Sequence, residues 1–553
     1  PVALLLSLMY AINQHSRHHE FIAIRNAGVG MFRMSAPYLL VGVLLSAGLY
    51  WSNEKWLPNG LREGEIIKTV QAEGKENPLG PEWITDVKFP NAEANRIWQI
   101  PAFNPATGET LKTYPRMSDD EMALAIEQCQ AAYQDWRQRS LEDRAKVIKA
   151  IGDELRKHVD DYAELMTKEM GKLYRDGQEE VKLCAGICDY TAEHGPKELA
   201  SEERDIMSGR KGIVTYSPIG IVYGIQPWNF PLYQAIRYSI SNLMAGNGVL
   251  LKHAETCTGS GLMLRDIYEA AGLPKHLFTV LLISHDQSDA VIENNLVRGV
   301  TLTGSDGAGR VVGEKAGKAL KKTVLELGSN DAYLVLEDAD VDLAVETCVK
   351  GRLFNNGETC VNAKRFIVTE KVYDEFTEKF VKAMADIKLG DPFAEDSDLG
   401  PMARADLRET LHDQVKDSVE KGATIRCGGE IPDMQGAYYP STVLTDVAPG
   451  QPAYDDELFG PVASVIRAKD DDDAMRIAND SRYGLGGGIF SRNEDRAIEL
   501  ACNHFDTGMV RINGFGIAAP NMPFGGVKDS GFGREHGGFG MKEFVNVKAV
   551  FVY

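Results

Sequence analysis

Phe354-Asn355-Asn356-Gly357-Glu358-Thr359-Cys360 is the stretch on which the reading of this chain turns. A cysteine at the end of a Gly-containing turn is placed for nucleophilic work if other reactive groups converge on it. Two earlier stretches offer such groups: Glu326 in Val324-Leu325-Glu326-Leu327-Gly328, and Asn229 in Gln226-Pro227-Trp228-Asn229-Phe230-Pro231. The thiolate is the reactive form, and an unperturbed thiol near pKa ~8.5 is mostly protonated at neutral pH. A nearby carboxylate can take the proton from the thiol or from a water. A side-chain amide can donate to a developing oxyanion. Each residue alone also has a plain structural reading: a buried filler thiol, a strand-end glutamate, an asparagine satisfying its own turn.

Bulk properties set the frame. A chain of 553 residues is too long for one compact core and is expected to form two or three domains. Its 44% hydrophobic and 25% charged content is ordinary for a globular protein. A net charge of −20 disfavours nucleic acid as a partner, because neutralising phosphates needs a basic face. Eight cysteines in so long a chain are not a disulfide framework, and they suit a reducing cytosol. Cys184 and Cys188 lie one helical turn apart, but no matching His or Cys pair accompanies them. Packed thiols are expected there, and no metal site.

The first hundred residues differ in character. Pro1 to Ile12 reads as the tail of an apolar helix, and Ala36 to Trp51 is a second apolar, uncharged run slightly short of the roughly 20 residues that span a bilayer. His15, Arg17, His18, His19, Arg25 and Arg33 lie between them, as in a basic cytoplasmic loop. Glu20-Phe21-Ile22-Ala23-Ile24-Arg25-Asn26-Ala27-Gly28-Val29, with Arg33 and Asn53-Glu54 to Pro58, resembles the permease subunits of the lipopolysaccharide-export transporter. Two helices cannot make such a permease. The expectation is a join of two unrelated coding pieces near Ile100 to Asn104, and the competing expectation is a genuine membrane anchor.

From Phe103 onward the chain reads as α/β. Ser118-Asp119-Asp120-Glu121 looks like a helix start. Helical periodicity runs from Met122 to Trp136 and from Leu141 to Met170. Strand-like runs follow at Gly220 to Ile225, Gly248 to Leu251 and Gly299 to Thr303, and a second series at Ala332 to Leu336 and Arg365 to Val368. Strands alternating with helices imply a mostly parallel sheet covered on both faces. There is no strict G-x-G-x-x-G. Gly304-Ser305-Asp306-Gly307-Ala308-Gly309 does follow a strand and open a helix, where backbone N–H groups can receive a pyrophosphate. Lys252 and Glu255, just past another strand, could hydrogen-bond a ribose.

Residues from about 103 to 553 resemble an aldehyde dehydrogenase over the full length of that fold. The motifs are Pro227 to Pro231, Leu302-Thr303-Gly304-Ser305, Leu325 to Gly328, Gly357 to Cys360, Glu457-Leu458-Phe459-Gly460-Pro461-Val462 and Pro523-Phe524-Gly525-Gly526 through Glu535. The resemblance implies a Rossmann-like cofactor domain over 101–327 with an oligomerisation hairpin near 195–218. It further implies a catalytic α/β domain over 328–535 and a C-terminal oligomerisation strand over 536–553, with residues 1–100 as the permease-like, partly transmembrane fragment. Cys360 would be the nucleophile, Glu326 the base for deacylation, and Asn229 with the Cys360 N–H the oxyanion hole. Trp228, Lys252, Glu255, Gly304, Ser305, Glu457 and Phe459 would line the NAD or NADP site. The implied chemistry is thiohemiacetal formation, hydride transfer to the nicotinamide and thioester hydrolysis. A homodimer or homotetramer follows by resemblance, with the strand Phe544 to Val550 pairing across subunits.

Three departures stand out. Ser329 replaces a second glycine beside Glu326, Asp306 adds a negative charge near the phosphates, and Glu358 replaces the commoner glutamine. Leu251 to Ala254, Gly400 to Arg404 and Ala363 to Phe366 look most like the succinate-semialdehyde dehydrogenase branch. A distal carboxylate suits a bidentate arginine, so Arg237 is the expected substrate ligand, Arg365 a weaker candidate, and Phe524 a wall of the substrate site. Glu255 tilts the cofactor toward NAD, because a carboxylate on the ribose repels a 2′-phosphate. Another semialdehyde or an aliphatic aldehyde is the alternative substrate. A non-catalytic membrane-tethered or misjoined chain is the reading from a different class.

Overall fold

The β-branched runs become strands close to their expected bounds. The computed structural model describes residues 99–553 apart from Ser208. The apolar runs of the first hundred residues, and the loop of His15, His18 and His19, lie outside the described residues. A six-stranded sheet has the spatial order Gly531–Phe532, Lys322–Glu326, Val297–Thr303, Ile221–Gln226, Gly248–His253, Phe278–Val280. Its last five strands are parallel, and Gly531–Phe532 joins antiparallel. The chain therefore starts this sheet in its middle, at Ile221–Gln226, builds outward to one side, and then crosses to the other at Val297–Thr303. In open α/β sheets, ligands bind at such a switch point, beyond the carboxyl ends of the strands. The Asn229 turn and Gly304-Ser305 leave the sheet there.

A second sheet of seven strands runs Thr424–Cys427, Thr442–Thr445, Val462–Ala468, Arg365–Thr369, Ala332–Val335, Gly487–Phe490, Arg511–Ile512. It is parallel except for its first pair. Its inner strands are buried on both faces, which accounts for their near-continuous apolar sequence. The helix Pro231–Ala245 is buried along its whole length. Its outer face is covered by the helix Tyr174–Glu198, where Cys184 and Cys188 are packed thiols.

Local signals behave as their chemistry dictates. Ser118 and Glu121 form a reciprocal capping box on the helix Asp119–Trp136. The helical stretch expected from Leu141 to Met170 is two helices, Leu141–Lys157 and Val159–Met170, because His158 leaves the helical region at φ −112°, ψ 25°. The C-terminal strand Val545–Phe551 pairs antiparallel with Arg210–Pro218 of its own chain, which in turn pairs with Glu202–Ile206. Val545–Phe551 and Glu202–Ile206 are therefore the outer strands of this three-stranded sheet. Among the described residues no helix is long and apolar enough to cross a membrane.

Candidate active site

The turn that presents Cys360 is built from left-handed backbone. Asn355 (φ 53°), Asn356 (φ 56°) and Gly357 (φ 77°) follow one another, a run that Asn and Gly tolerate best. A Cβ at Gly357 would lie 2.4 Å from the carbonyl carbon of Gly460, so only glycine lets this turn press against the Glu457-to-Pro461 segment. The two asparagines tie the turn to distant segments. Asn356 Nδ2 donates to the carbonyls of Gly171 (3.0 Å) and Pro401 (2.9 Å), while its Oδ1 accepts from Gly400 N (2.9 Å). Asn355 Nδ2 donates to the Asn229 carbonyl at 2.9 Å. Glu358, the departure from glutamine, is buried and accepts from Ala403 N at 3.0 Å. The Cys360 carbonyl accepts from Lys364 Nζ.

Asn229 reaches this turn from the carboxyl edge of the six-stranded sheet. Its Nδ2 donates to the Glu358 carbonyl at 3.0 Å, two residues before Cys360, and its Oδ1 accepts from Gln234 Nε2 at 3.3 Å. The amide is thus oriented, with one N–H left over. Behind it, the buried carboxylate of Glu180 accepts from Leu232 N (2.9 Å) and Tyr233 N (2.8 Å) at the start of the helix Pro231–Ala245. Lys172 pairs with Glu180 and sits 4.4 Å from the centroid of the Phe230 ring.

Glu326 ends its strand with both carboxylate oxygens buried and without a hydrogen-bond partner among the described residues. Burial holds it well above the usual carboxylate range, against the pull of Arg237. An unpaired buried carboxylate is costly, and such groups cluster at reactive sites. Its position is set by the C-terminal motif. Gly531 pairs with Glu326 across the sheet edge, Ser530 Oγ donates to the Gly328 carbonyl at 2.7 Å, and a Cβ at Gly525 would stand 2.8 Å from Glu326 Oε1. The half-buried thiol of Cys360 feels the charges of Arg237, Lys364, Glu457 and Glu326, and burial pushes it up to about 12. The resting thiol is thus held toward its protonated form, as expected of a thiol at neutral pH, and the thiolate needs a base or an added positive charge.

Arg237 is not the free cation expected from sequence. It is fully buried, its Nε pairs with Glu535, its Nη2 donates to Thr303 Oγ1 at 2.8 Å, and its Cζ lies 4.6 Å from the centroid of the Phe524 ring. Its charge is already matched, and Nη1 is the group left without a partner. Arg365 is removed as a candidate: its guanidinium is buried and donates to the carbonyls of Asn330, Ile477 and Ala478. The other two departures are absorbed locally. Ser329 is buried and donates to Asp331, and Asp306 pairs with Arg482 at 2.7 Å.

A cavity of about 820 Å³ opens beside the Asn229 edge of the sheet, with Lys252 and Glu255 in its wall. Cys360 is not part of that wall. Lys252 is almost wholly buried and has no hydrogen bond or ion pair among the described residues, a cation waiting for an acceptor. Ser305 caps the helix Asp306–Lys318, accepting from Ala308 N at 3.2 Å. Trp228 and Phe459 meet edge to face at 5.7 Å, and Glu457 Oε1 lies 3.1 Å from Lys364 Nζ. These groups fit a dinucleotide: a pocket of that size, an uncommitted lysine, a helix N-terminus and two aromatic rings.

A parallel switch-point sheet facing a thiol, an amide and a buried carboxylate defines an oxidoreductase-type α/β protein. Residues 92–550 match the profile described as "Aldehyde dehydrogenase family", and the chain belongs to that family. It is 43% identical over 461 residues to a succinate-semialdehyde dehydrogenase [NADP(+)] of Deinococcus radiodurans, covering 83% of this chain and 96% of the relative. It is 42% identical over 449 residues to the succinate semialdehyde dehydrogenase [NAD(P)+] Sad of Escherichia coli, covering 81% and 97%. The crystal structure of a succinic semialdehyde dehydrogenase from Streptococcus pyogenes with NADP+ is similar at a TM-score of 0.80 and 38% identity, over 82% of this chain and 99% of that one. Residues 1–113 match a second profile, "Lipopolysaccharide export system permease LptF/LptG", in line with the resemblance read from Glu20 to Pro58. The chain divides between Arg96 and Ile97, a few residues ahead of the expected junction.

Proposed function

We propose that this chain oxidises succinate semialdehyde to succinate with NAD or NADP. The observation that carries the reading is the convergence of Cys360, Asn229 and the unpartnered Glu326 from three distant segments. Glu326 takes the proton of the Cys360 thiol, and the sulfur adds to the aldehyde carbon. The oxygen of the resulting thiohemiacetal faces the spare N–H of Asn229 and the backbone N–H of Cys360. The nicotinamide, when bound, supplies the acceptor for the hydride. Once that proton has passed to solvent, Glu326, with no competing partner, deprotonates the water that attacks the Cys360 thioester, and the sulfur leaves and takes a proton back as the carboxylate product forms. Lys252, Glu255 and Ser305 hold the adenosine and pyrophosphate end of the cofactor, and Glu457, Trp228 and Phe459 the nicotinamide end. The unpartnered Nη1 of Arg237, beside Phe524, is the donor for the distal carboxylate.

The test is reduction of NAD and NADP over a panel of semialdehydes and aliphatic aldehydes, with Cys360→Ser as control. Turnover that survives in Cys360→Ser, or a preference for uncharged aldehydes, would refute it. We read the dehydrogenase as a homo-oligomer built on the outer strands Val545–Phe551 and Glu202–Ile206. We read residues 1 to about 100 as a fragment joined to it. A chain beginning near Ala102 is expected to retain full turnover, and an uninterrupted natural transcript across the junction would count against a join.

A further inference from the structure

Lys252 and Glu255 line the 820 Å³ cavity, and Glu255 has a partner that the sequence does not reveal. Glu255 opens the short turn after the strand Gly248–His253, and its Oε1 accepts from Nη2 of Arg116 at 2.6 Å. Arg116 comes from the connection between the strand Thr110–Pro115 and the helix Asp119–Trp136, 139 positions earlier. Among the described residues that is its one hydrogen bond, and its Nε is buried with no partner there. A guanidinium carries five N–H donors, so most of this one is uncommitted. Lys252, in the cavity wall with Glu255, is a second cation without a partner among the described residues, and burial pulls it below its ordinary range. The Glu255 side chain is 39% exposed and has room to turn toward solvent.

An isolated carboxylate at the ribose repels a 2′-phosphate. Here the carboxylate is matched by Arg116, and with Lys252 the three side chains sum to one positive charge. We propose that Arg116 is a specificity-determining residue: it neutralises Glu255 and offers its spare donors to a 2′-phosphate, so that the site accepts the 2′-phosphorylated cofactor as well as the plain one. Arginine suits this role because its planar fork matches phosphate oxygens. The inference rests on the dinucleotide reading of the preceding subsection.

Two cofactor fragments separate the possibilities without turnover. Isothermal titration of the full chain with 2′,5′-ADP and with 5′-AMP gives a ratio of dissociation constants. The wild type is expected to bind both, with constants within about tenfold. Arg116→Ala shifts the ratio at least tenfold toward 5′-AMP, and Arg116→Lys, which keeps the charge, recovers most of that shift. Glu255→Gln shifts it at least threefold toward 2′,5′-ADP, and serves as the deciding variant if Arg116→Ala does not fold. A ratio unchanged in these variants, or equal weakening of both fragments in Arg116→Ala, overturns the assignment of Arg116 alone. A wild type that binds neither fragment overturns the dinucleotide reading and this inference with it.

Discussion

Asn229→Ala separates the catalytic role of the amide from its structural one. In the resting site the Asn229 side chain spends one N–H on the Glu358 carbonyl at 3.0 Å, and its oxygen takes a bond from Gln234 at 3.3 Å. The alanine variant loses both. The Glu358 carbonyl keeps a donor in Asn355 Nδ2 at 3.3 Å, and the Asn229 carbonyl keeps its bond from the same amide. The structural cost is therefore that of about one net hydrogen bond plus a partly stranded glutamine, ~1–2 kcal/mol, a fall in Tm of a few degrees. The catalytic cost is the loss of one preorganised oxyanion donor, about 10²–10³ in kcat. The assay is steady-state reduction of cofactor followed at saturating aldehyde, alongside a thermal melt. A variant that keeps kcat within threefold of wild type, with the melt lowered as expected, would refute the oxyanion role and leave Asn229 as a turn residue.

The other predictions concern buried charge. Glu326 is raised above its unfolded value by burial, so its stabilising effect is complete below the unfolded pKa of a glutamate and is lost as pH rises toward the folded one. Glu326→Gln should raise Tm at pH 8 relative to wild type while abolishing the rise of kcat with pH; a lower Tm there would contradict the unpartnered carboxylate. Glu535→Ala strands the buried guanidinium of Arg237 and should cost about 3–5 kcal/mol in denaturant unfolding, and a change under 1 kcal/mol would mean the pair is not formed. Cys360, pushed up to about 12, has on the order of 10⁻⁵–10⁻⁴ of its thiol ionised near pH 7.5. Its alkylation by iodoacetamide should be far slower than that of exposed Cys502 and should speed up when oxidised NADP is added, as followed by peptide mass mapping; a fast rate without cofactor would overturn the shift.

The sheets were legible because their strands carry a local signal. Ile221–Gln226, Val297–Thr303 and Arg365–Thr369 are buried, β-branched runs between turn residues, and a parallel strand covered on both faces must look that way. The reactive trio was legible for a different reason. Each member sits at a strand end or in a turn whose flanking Gly, Pro and Asn have no role in regular structure, so the backbone chemistry marks the site. What sequence could not supply was pairing across distance. Arg237 and Glu535 are separated by nearly three hundred positions, and nothing near either residue signals the other. Arg116 with Glu255, and Arg482 with Asp306, are hidden in the same way. Ser329 stood out as a departure beside Glu326 because its partner, Asp331, is visible only once the turn is folded.

The same long-range pairings explain why the resting thiol is held back. Burial raises Cys360, with Glu457 and Glu326 adding to it, and the two cations that oppose this, Arg237 and Lys364, are each tied to a carboxylate, Glu535 and Glu457. Their positive charge is largely spent before it reaches the sulfur. The site thus presents a protonated nucleophile beside a carboxylate, Glu326, that is itself held toward its neutral form. Neither group is poised on its own, and both move toward their reactive states when positive charge enters the pocket. An oxidised nicotinamide carries that charge. On the proposed reading, a site of this design keeps its cysteine inert toward stray electrophiles until the cofactor is in place, and the partners that would make it so are residues with no local mark in the sequence.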